Sequence, residues 1–146
     1  IRFFGGIYGL DKKTIEQRTN ELIEKFSMQD MQKKLIKDIP LGWKQKIAFS
    51  IAVLHKPKVV FLDEPTGGVD PITRRQFWDL INETADMGIT VFVTTHYMDE
   101  AEYCNRVSIM SEGKIIELGK PKDLKEKHQV NSIGELFFKV ARNVND

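Results

Sequence analysis

Asp63 and Glu64 are adjacent carboxylates that close the apolar run Val59-Val60-Phe61-Leu62, and Pro65 stops the run. Val59 and Val60 are β-branched, and nothing in the run alternates polar with apolar. This predicts a strand covered on both faces, the habit of a parallel sheet. Such sheets place their ligands outside the carboxyl ends of the strands, where Asp63 and Glu64 fall. Two carboxylates there are costly unless a cation, a proton or a donor meets them. Mg2+–phosphate work suits them, because Mg2+ keeps several waters and is held through one or two carboxylates plus phosphate oxygens. Asp63 would accept from that hydrated shell. Glu64, pointing elsewhere, could take a proton from a water attacking phosphorus. Taken alone, the pair is as readily a strand that ends in polar residues.

A second run, Ile89-Thr90-Val91-Phe92-Val93-Thr94-Thr95, is also β-branched and largely apolar. A predicted helix over 72–87 leads to it, with Phe77, Leu80, Ile81 and Thr84 inward and Gly88 as its stop. Strand, helix, strand at this spacing is a βαβ unit with both strands ending on one side. His96 follows the second strand, so the spacing places it near the Asp63/Glu64 rim as a donor to the same phosphate. A lone His at a strand end is more often structural, but two carboxylates on the adjacent strand end raise the catalytic reading. Phosphoryl transfer asks mainly for positioning and charge stabilisation.

Other elements flank this unit. Asp11 is a plausible N-cap for a helix to about Phe26, with Ile15, Leu22, Ile23 and Phe26 on one face. A second short helix follows Asp30, with Met31, Leu35 and Ile36 inward. Pro40 and Gly42 then break the chain. Beyond them Trp43, Ile47, Ile51 and Leu54 share a helical face. Lys44, Gln45 and Lys46 occupy its first turns, where cations oppose the helix dipole. They are solvated residues, or they face an anion or another subunit's acidic surface. After His96, a short helix over 98–103 carries Asp99, Glu100 and Glu102 outward. Strands over 106–110 and 114–118 are joined by Ser111-Glu112-Gly113, a hairpin signal. Terminal helices are predicted over 123–128 and from 132 to about 142.

The 146 residues suffice for one domain with a modest core. Composition is 41% apolar and 29% charged, against averages of roughly 45–50% and 25%. A net charge of +1 gives no general pull toward nucleic acid or anionic membrane. The longest apolar stretch, 47–54, is far short of the roughly 20 residues of a membrane span. Cys104 stands alone, so no internal disulfide forms and a reducing compartment fits. The opening Ile1-Arg2-Phe3-Phe4-Gly5-Gly6-Ile7-Tyr8-Gly9-Leu10 has no initiator Met and no polar lead-in, so it is expected to begin inside an apolar element.

The residues resemble a family. Val59–Pro65 looks like the Walker B segment of ATP-binding cassette (ABC) ATPases, Gly67-Gly68-Val69-Asp70 like their D-loop, and Thr94-Thr95-His96 like their switch-histidine segment. The stretch from Gly68 to Trp78 is especially similar to ATPases that serve ABC-2-type exporters, the drug-efflux branch. The resemblance implies a P-loop NTPase fold, in part, with a mostly parallel sheet, flanking helices and part of a helical subdomain. It implies ATP and Mg2+ as cofactors, Glu64 as general base, Asp63 on Mg2+ through water, His96 on the γ-phosphate and Asp70 at a dimer contact. It also implies a second ATPase subunit, an ABC-2-type permease, and a cytoplasmic place on the inner face of the cell membrane. Domain boundaries on this basis are a helical portion over 1–56, a catalytic α/β portion over 57–128 and a helical tail over 129–146.

Two departures sharpen the resemblance. The family's signature loop, Leu-Ser-Gly-Gly-Gln, aligns with Ile39-Pro40-Leu41-Gly42-Trp43, and only the second glycine, Gly42, is kept. Pro40 has neither hydroxyl nor N–H, which leaves Gly42, Trp43 and Lys44 to meet phosphate through backbone and charge. The exporter branch tolerates this Pro-Leu-Gly-Trp-Lys-Gln variant. The second departure is that no Gly-x-x-x-x-Gly-Lys-Ser/Thr lies within these residues, so the main phosphate cradle is missing from them. The expectation is therefore the C-terminal part, or a truncated product, of an exporter ATPase subunit, inactive alone. The alternatives are the C-terminal half of a chromosome-maintenance or DNA-repair ABC ATPase, or a non-catalytic interaction module. Phe3, Phe4 and Tyr8 would belong to a permease-docking surface or to ordinary core.

Overall fold

The Asp11 cap forms as its sequence predicts. In the computed structural model, which describes residues 1–142, Asp11 accepts from the Thr14 N–H at 3.0 Å. It starts a helix over Lys12–Lys25 (α2), preceded by a short helix over Arg2–Ile7 (α1). Gly5 of α1 lies hard against the Ile15 side chain of α2, where a Cβ would come within 2.7 Å of Ile15 Cγ1. Phe3 and Ile7 stay exposed, with Phe4 and Tyr8 also open. The core reading of Phe3, Phe4 and Tyr8 does not hold.

The short helix expected after Asp30 is instead two 3₁₀ turns, Gln29–Met31 and Ile36–Asp38, and Leu35 and Ile36 are exposed. Such turns are too short to carry an inward stripe. The next helix, Leu41–Val53 (α3), follows Pro40 directly. Of the predicted Trp43, Ile47, Ile51 and Leu54 stripe only Leu54, at the helix end, is buried. Gly42, Lys46, Phe49, Ser50 and Val53 are the buried positions. The cause is the packing of Phe49 between Phe26, at 6.0 Å between ring centroids, and Phe77, at 5.5 Å. That three-ring column sets the helix rotation, and the Arg18 guanidinium donates to the Leu54 carbonyl at 3.0 Å.

Strand β1 (Val59–Asp63) pairs in parallel with β2 (Thr90–Thr94), in the register Val60↔Val91, Phe61↔Phe92, Asp63↔Thr94. Helix α4 (Pro71–Asp86) makes the crossover, with Phe77, Leu80, Ile81 and Thr84 buried as predicted. Gly88, at φ +88°, follows it as the stop. The expectation that β1 is covered on both faces is corrected. Val60 is buried, but its neighbour Phe61 is 75% exposed and Phe92 54% exposed. Successive side chains point to opposite faces, and the described residues cover only one of them. The Phe61 and Phe92 rings lie together on the open face, 5.7 Å apart.

Chain contacts divide the molecule into two units, Ile1–Thr94 and the remainder from Thr95. The second unit begins with a 3₁₀ turn over Glu100–Tyr103 rather than the predicted α-helix, and Glu100 is fully buried rather than outward. A turn that repeats every three residues redistributes the faces that an α-helix would have offered. Strands β3 (Val107–Ser111) and β4 (Lys114–Gly119) form the predicted hairpin. Its turn residues Glu112 and Gly113 have φ of +50° and +75°, the left-handed pair that a tight hairpin needs. Helices α5 (Pro121–His128) and α6 (Ile133–Arg142) follow. Val107, Ile109, Leu124, Ile133, Leu136 and Val140 make one apolar cluster. Glu102 ties it together by accepting from the Lys125 ammonium at 2.6 Å and from the Ile133 N–H at 2.8 Å. The α/β class holds, with helices beside a parallel pair and an antiparallel pair added. Residues 143–146 of the predicted tail lie outside the described residues.

Candidate functional site

At the carboxyl end of β1, Asp63 and Glu64 are both exposed. The Thr94 hydroxyl, in register across the parallel pair, donates to Asp63 Oδ1. Glu64 takes the left-handed conformation at φ +44°, which an L-residue keeps only when its surroundings fix it. They do so from both sides. The Glu64 N–H donates to the Thr94 carbonyl at 3.0 Å, and the Gly67 N–H donates to the Glu64 carbonyl at 3.0 Å. The chain therefore leaves the strand direction at Glu64 as soon as the strand ends.

The loop after Pro65 delivers Asp70 to the start of α4. Asp70 Oδ1 accepts from the Ile72 and Thr73 N–H groups, each at 3.0 Å, and Oδ2 accepts from the Thr73 hydroxyl at 2.6 Å. Pro71 occupies the first helical turn, where a missing N–H costs nothing. The Thr73 hydroxyl, then the backbone donors, hold the Asp70 carboxyl below the usual range. Its contribution to folding is present above the ordinary carboxylate value of 3.8 and fades as pH falls through the lowered one. Gly68 adopts φ +74° in this loop, a conformation that glycine takes without strain.

The start of α3 packs on that loop. A cleft of about 280 Å³ lies between them, lined by Pro40, Gly42, Trp43, Lys46, Asp70 and Thr73 among others. A Cβ on Gly42 would fall 2.4 Å from Thr73 Cγ2, so glycine is what lets α3 approach α4 this closely. The Gln45 side-chain amide donates to the Gly67 carbonyl at 3.1 Å and fixes the loop from the same helix. Lys46 is not a solvated residue. It is 9% exposed, its ammonium lies 4.6 Å from the centre of the Trp43 ring, and it donates to Gln76 Oε1 at 3.3 Å. Burial pushes the Lys46 ammonium below its ordinary range. Trp43 and Lys44 are half-buried.

The structure thus brings Asp63, Glu64 and Thr94 together at one end of the parallel pair, and Gly42, Trp43 and Asp70 around one cleft. His96 belongs to the second unit, exposed, with its ring 4.1 Å from that of Tyr97. Sequence reading passed over Thr94, Thr73 and the burial of Lys46. Thr73 had a signal, since Asp70-x-x-Thr73 is a helix-start spacing. Thr94 had none, because strand register is not written locally.

The donor set at the strand end fits Mg2+ better than a softer metal, being oxygen-only, one carboxylate with a hydroxyl behind it. Among the described residues no group of three His, Cys, Asp or Glu side chains could hold a metal, so a cation here would be held mainly by water and phosphate oxygens. Also among them, no helix is long and apolar enough to cross a membrane.

The family model described as ABC transporter matches residues 5–67. The probable multidrug ABC transporter ATP-binding protein YbhF of Escherichia coli is 46% identical over 125 residues, covering 86% of this chain and 22% of that protein. The linearmycin resistance ATP-binding protein LnrL of Bacillus subtilis is 34% identical, covering 99% of this chain and 49% of that protein. The daunorubicin/doxorubicin resistance ATP-binding protein DrrA of Streptomyces peucetius is 34% identical, covering 83% and 37%. A solved ATP-binding subunit of an ABC transporter superposes with a TM-score of 0.77 at 26% identity, over 95% of this chain and 59% of that one. The chain spans between a fifth and a half of the length of these curated relatives.

Proposed function

We propose a function for a chain recognised as ABC transporter ATP-binding sequence of the drug-exporter branch: it supplies the hydrolytic strand end and the signature region of an ATP-hydrolysing export cassette. The observation that carries the reading is the strand end itself. Asp63 accepts from a cross-strand hydroxyl, and Glu64 follows it in a left-handed backbone held at both its N–H and its carbonyl. Glu64 is the general base that takes a proton from the attacking water. Asp63 accepts from the hydration shell of Mg2+, which when bound would neutralise charge on the phosphates. His96 donates to the γ-phosphate. Gly42, Trp43 and Lys44, at the start of α3, meet the phosphate held by a second ATPase subunit, and Asp70 lies at the contact with that subunit. The resemblance of the relatives to drug-resistance ATPases supports an ABC-2-type permease as the membrane partner and a place on the cytoplasmic face of the membrane. Relatives named as transporter proteins favour this reading over the DNA-repair one.

The 146 residues include no phosphate-cradling Gly-x-x-x-x-Gly-Lys-Ser/Thr segment, so the chain alone does not turn over ATP. A steady-state ATPase assay on the 146-residue chain tests this. Background turnover is expected, unchanged by Glu64→Gln. Turnover at the roughly 1–100 per second of ordinary phosphoryl-transfer enzymes, abolished by Glu64→Gln, would show that these residues are sufficient.

A further inference from the structure

Thr94 and Thr95 are consecutive threonines whose hydroxyls do different things. Thr95 Oγ1 accepts from the Tyr97 N–H at 3.0 Å, a local turn contact two residues on. Thr94 Oγ1 works across the strand pair. It donates its one proton to Asp63 Oδ1 and lies 3.3 Å from the Glu64 N–H, which it accepts in addition to that group's bond to the Thr94 carbonyl. A hydroxyl has one donor and two acceptor sites, so this group spends its donor on one carboxylate residue and an acceptor site on the peptide of the next. Thr94 is exposed, so burial alone does not call for a threonine here. The fold itself asks only for a strand former here, and valine would serve as well.

We propose that the Thr94 hydroxyl is a positioning group for the reaction. It fixes the Asp63 carboxylate so that its other oxygen is left for the hydration shell of Mg2+, and it steadies the peptide that sets the direction of Glu64. This rests on the function proposed above for Asp63 and Glu64. The physical case is that an exposed aspartate at a strand end would otherwise sample several rotamers. A neutral donor of fixed position selects one of them without competing for the metal. Groups that orient a metal-binding residue from behind typically matter about tenfold or more in metal affinity. A donor that removed the Asp63 charge would be useless, whereas a hydroxyl leaves the charge in place.

The test uses the ATP-loaded cassette in which this stretch works, with Glu64→Gln present to stop hydrolysis, and reads Mn2+ binding by electron paramagnetic resonance. Thr94→Val is expected to weaken Mn2+ binding about tenfold and to leave the thermal midpoint unchanged. Thr94→Ser, which keeps the hydroxyl, is expected to restore it. Should valine fail to fold, Thr94→Ala compared with Thr94→Ser makes the same distinction. Unchanged Mn2+ affinity in the valine variant overturns the proposal, as does a serine variant that behaves like valine. Turnover of the cassette with Glu64 intact separates the two levels of argument. If Glu64→Gln leaves turnover untouched, the reading of the strand end fails. If it abolishes turnover while Thr94→Val leaves Mn2+ affinity alone, only the role of Thr94 fails.

Discussion

The hairpin β3–β4 and the parallel pair β1–β2 finish their apolar surfaces in different ways. The hairpin turns Val107 and Ile109 toward Leu124, Ile133 and Leu136 within the second unit, and the apolar residues it leaves exposed are the aliphatic Met110, Ile115 and Leu118. The parallel pair buries Val60 on one face and leaves Phe61 and Phe92 side by side on the other. Among the described residues its sheet has two strands only, and two-stranded sheets are marginal without further cover. The pair to which the proposed chemistry is assigned is thus the one that leaves two aromatic rings together on its open face. A local hairpin with two following helices closes its core from near neighbours in sequence, while a parallel pair depends on distant segments.

The sharpest way to break this contrast is to truncate one side chain in each unit. Leu136→Ala, at a site with no exposure, should cost about 2–5 kcal/mol in urea unfolding. Phe61→Ala should cost no more than about 0.5 kcal/mol, because little of the ring is covered. Equal costs would mean that the open face is covered in solution. A smaller effect is expected within the cleft between α3 and the loop before α4. Gly42→Ala should cost about 1–3 kcal/mol through overpacking on Thr73 Cγ2, and adding Thr73→Ser, which deletes that methyl, should recover most of it. Non-recovery would place the strain elsewhere.

Lys46→Met should be neutral or mildly stabilising at pH 7, since it removes a buried charge whose hydrogen-bond acceptor is a neutral amide. The sign with pH follows from the lowered value of Lys46. Below it the ammonium is charged folded and unfolded, and burial penalises the fold. As pH rises toward the ordinary 10.5 the folded protein releases its proton first, and the penalty is relieved. The stability difference between Lys46→Met and the parent, read from chemical unfolding between pH 7 and 10.5, should therefore shrink. The smallest effect concerns Cys104. Burial, with the Glu100 charge adding, pushes its thiol up to about 11. It should react with maleimide at pH 7.5 at least tenfold more slowly than a free cysteine of pKa about 8.5, as read by mass spectrometry over time.

How much of this was legible in the residues follows the range of the contacts. The βαβ unit, the Asp11 and Gly88 punctuation and the Glu112-Gly113 hairpin turn were readable because each is local. The carboxylate pair was readable because an apolar run points to it. The rotation of α3 was not, since it is set by Phe26 and Phe77, far away in the chain, and a buried lysine opposes any periodicity that counts only apolar residues. Glu100 was misplaced because the choice between a 3₁₀ and an α turn depends on packing. Thr94 was missed because its partner lies 31 residues away and is fixed only by strand register.

The measurement that bears most directly on the account is ATP turnover in a cassette assembled from these 146 residues and a segment that carries a Gly-x-x-x-x-Gly-Lys-Ser/Thr phosphate cradle. The account predicts turnover that the 146 residues do not show alone and that Glu64→Gln lowers by at least a hundredfold, on the order expected for a catalytic base. Turnover that persists with Glu64→Gln would contradict it.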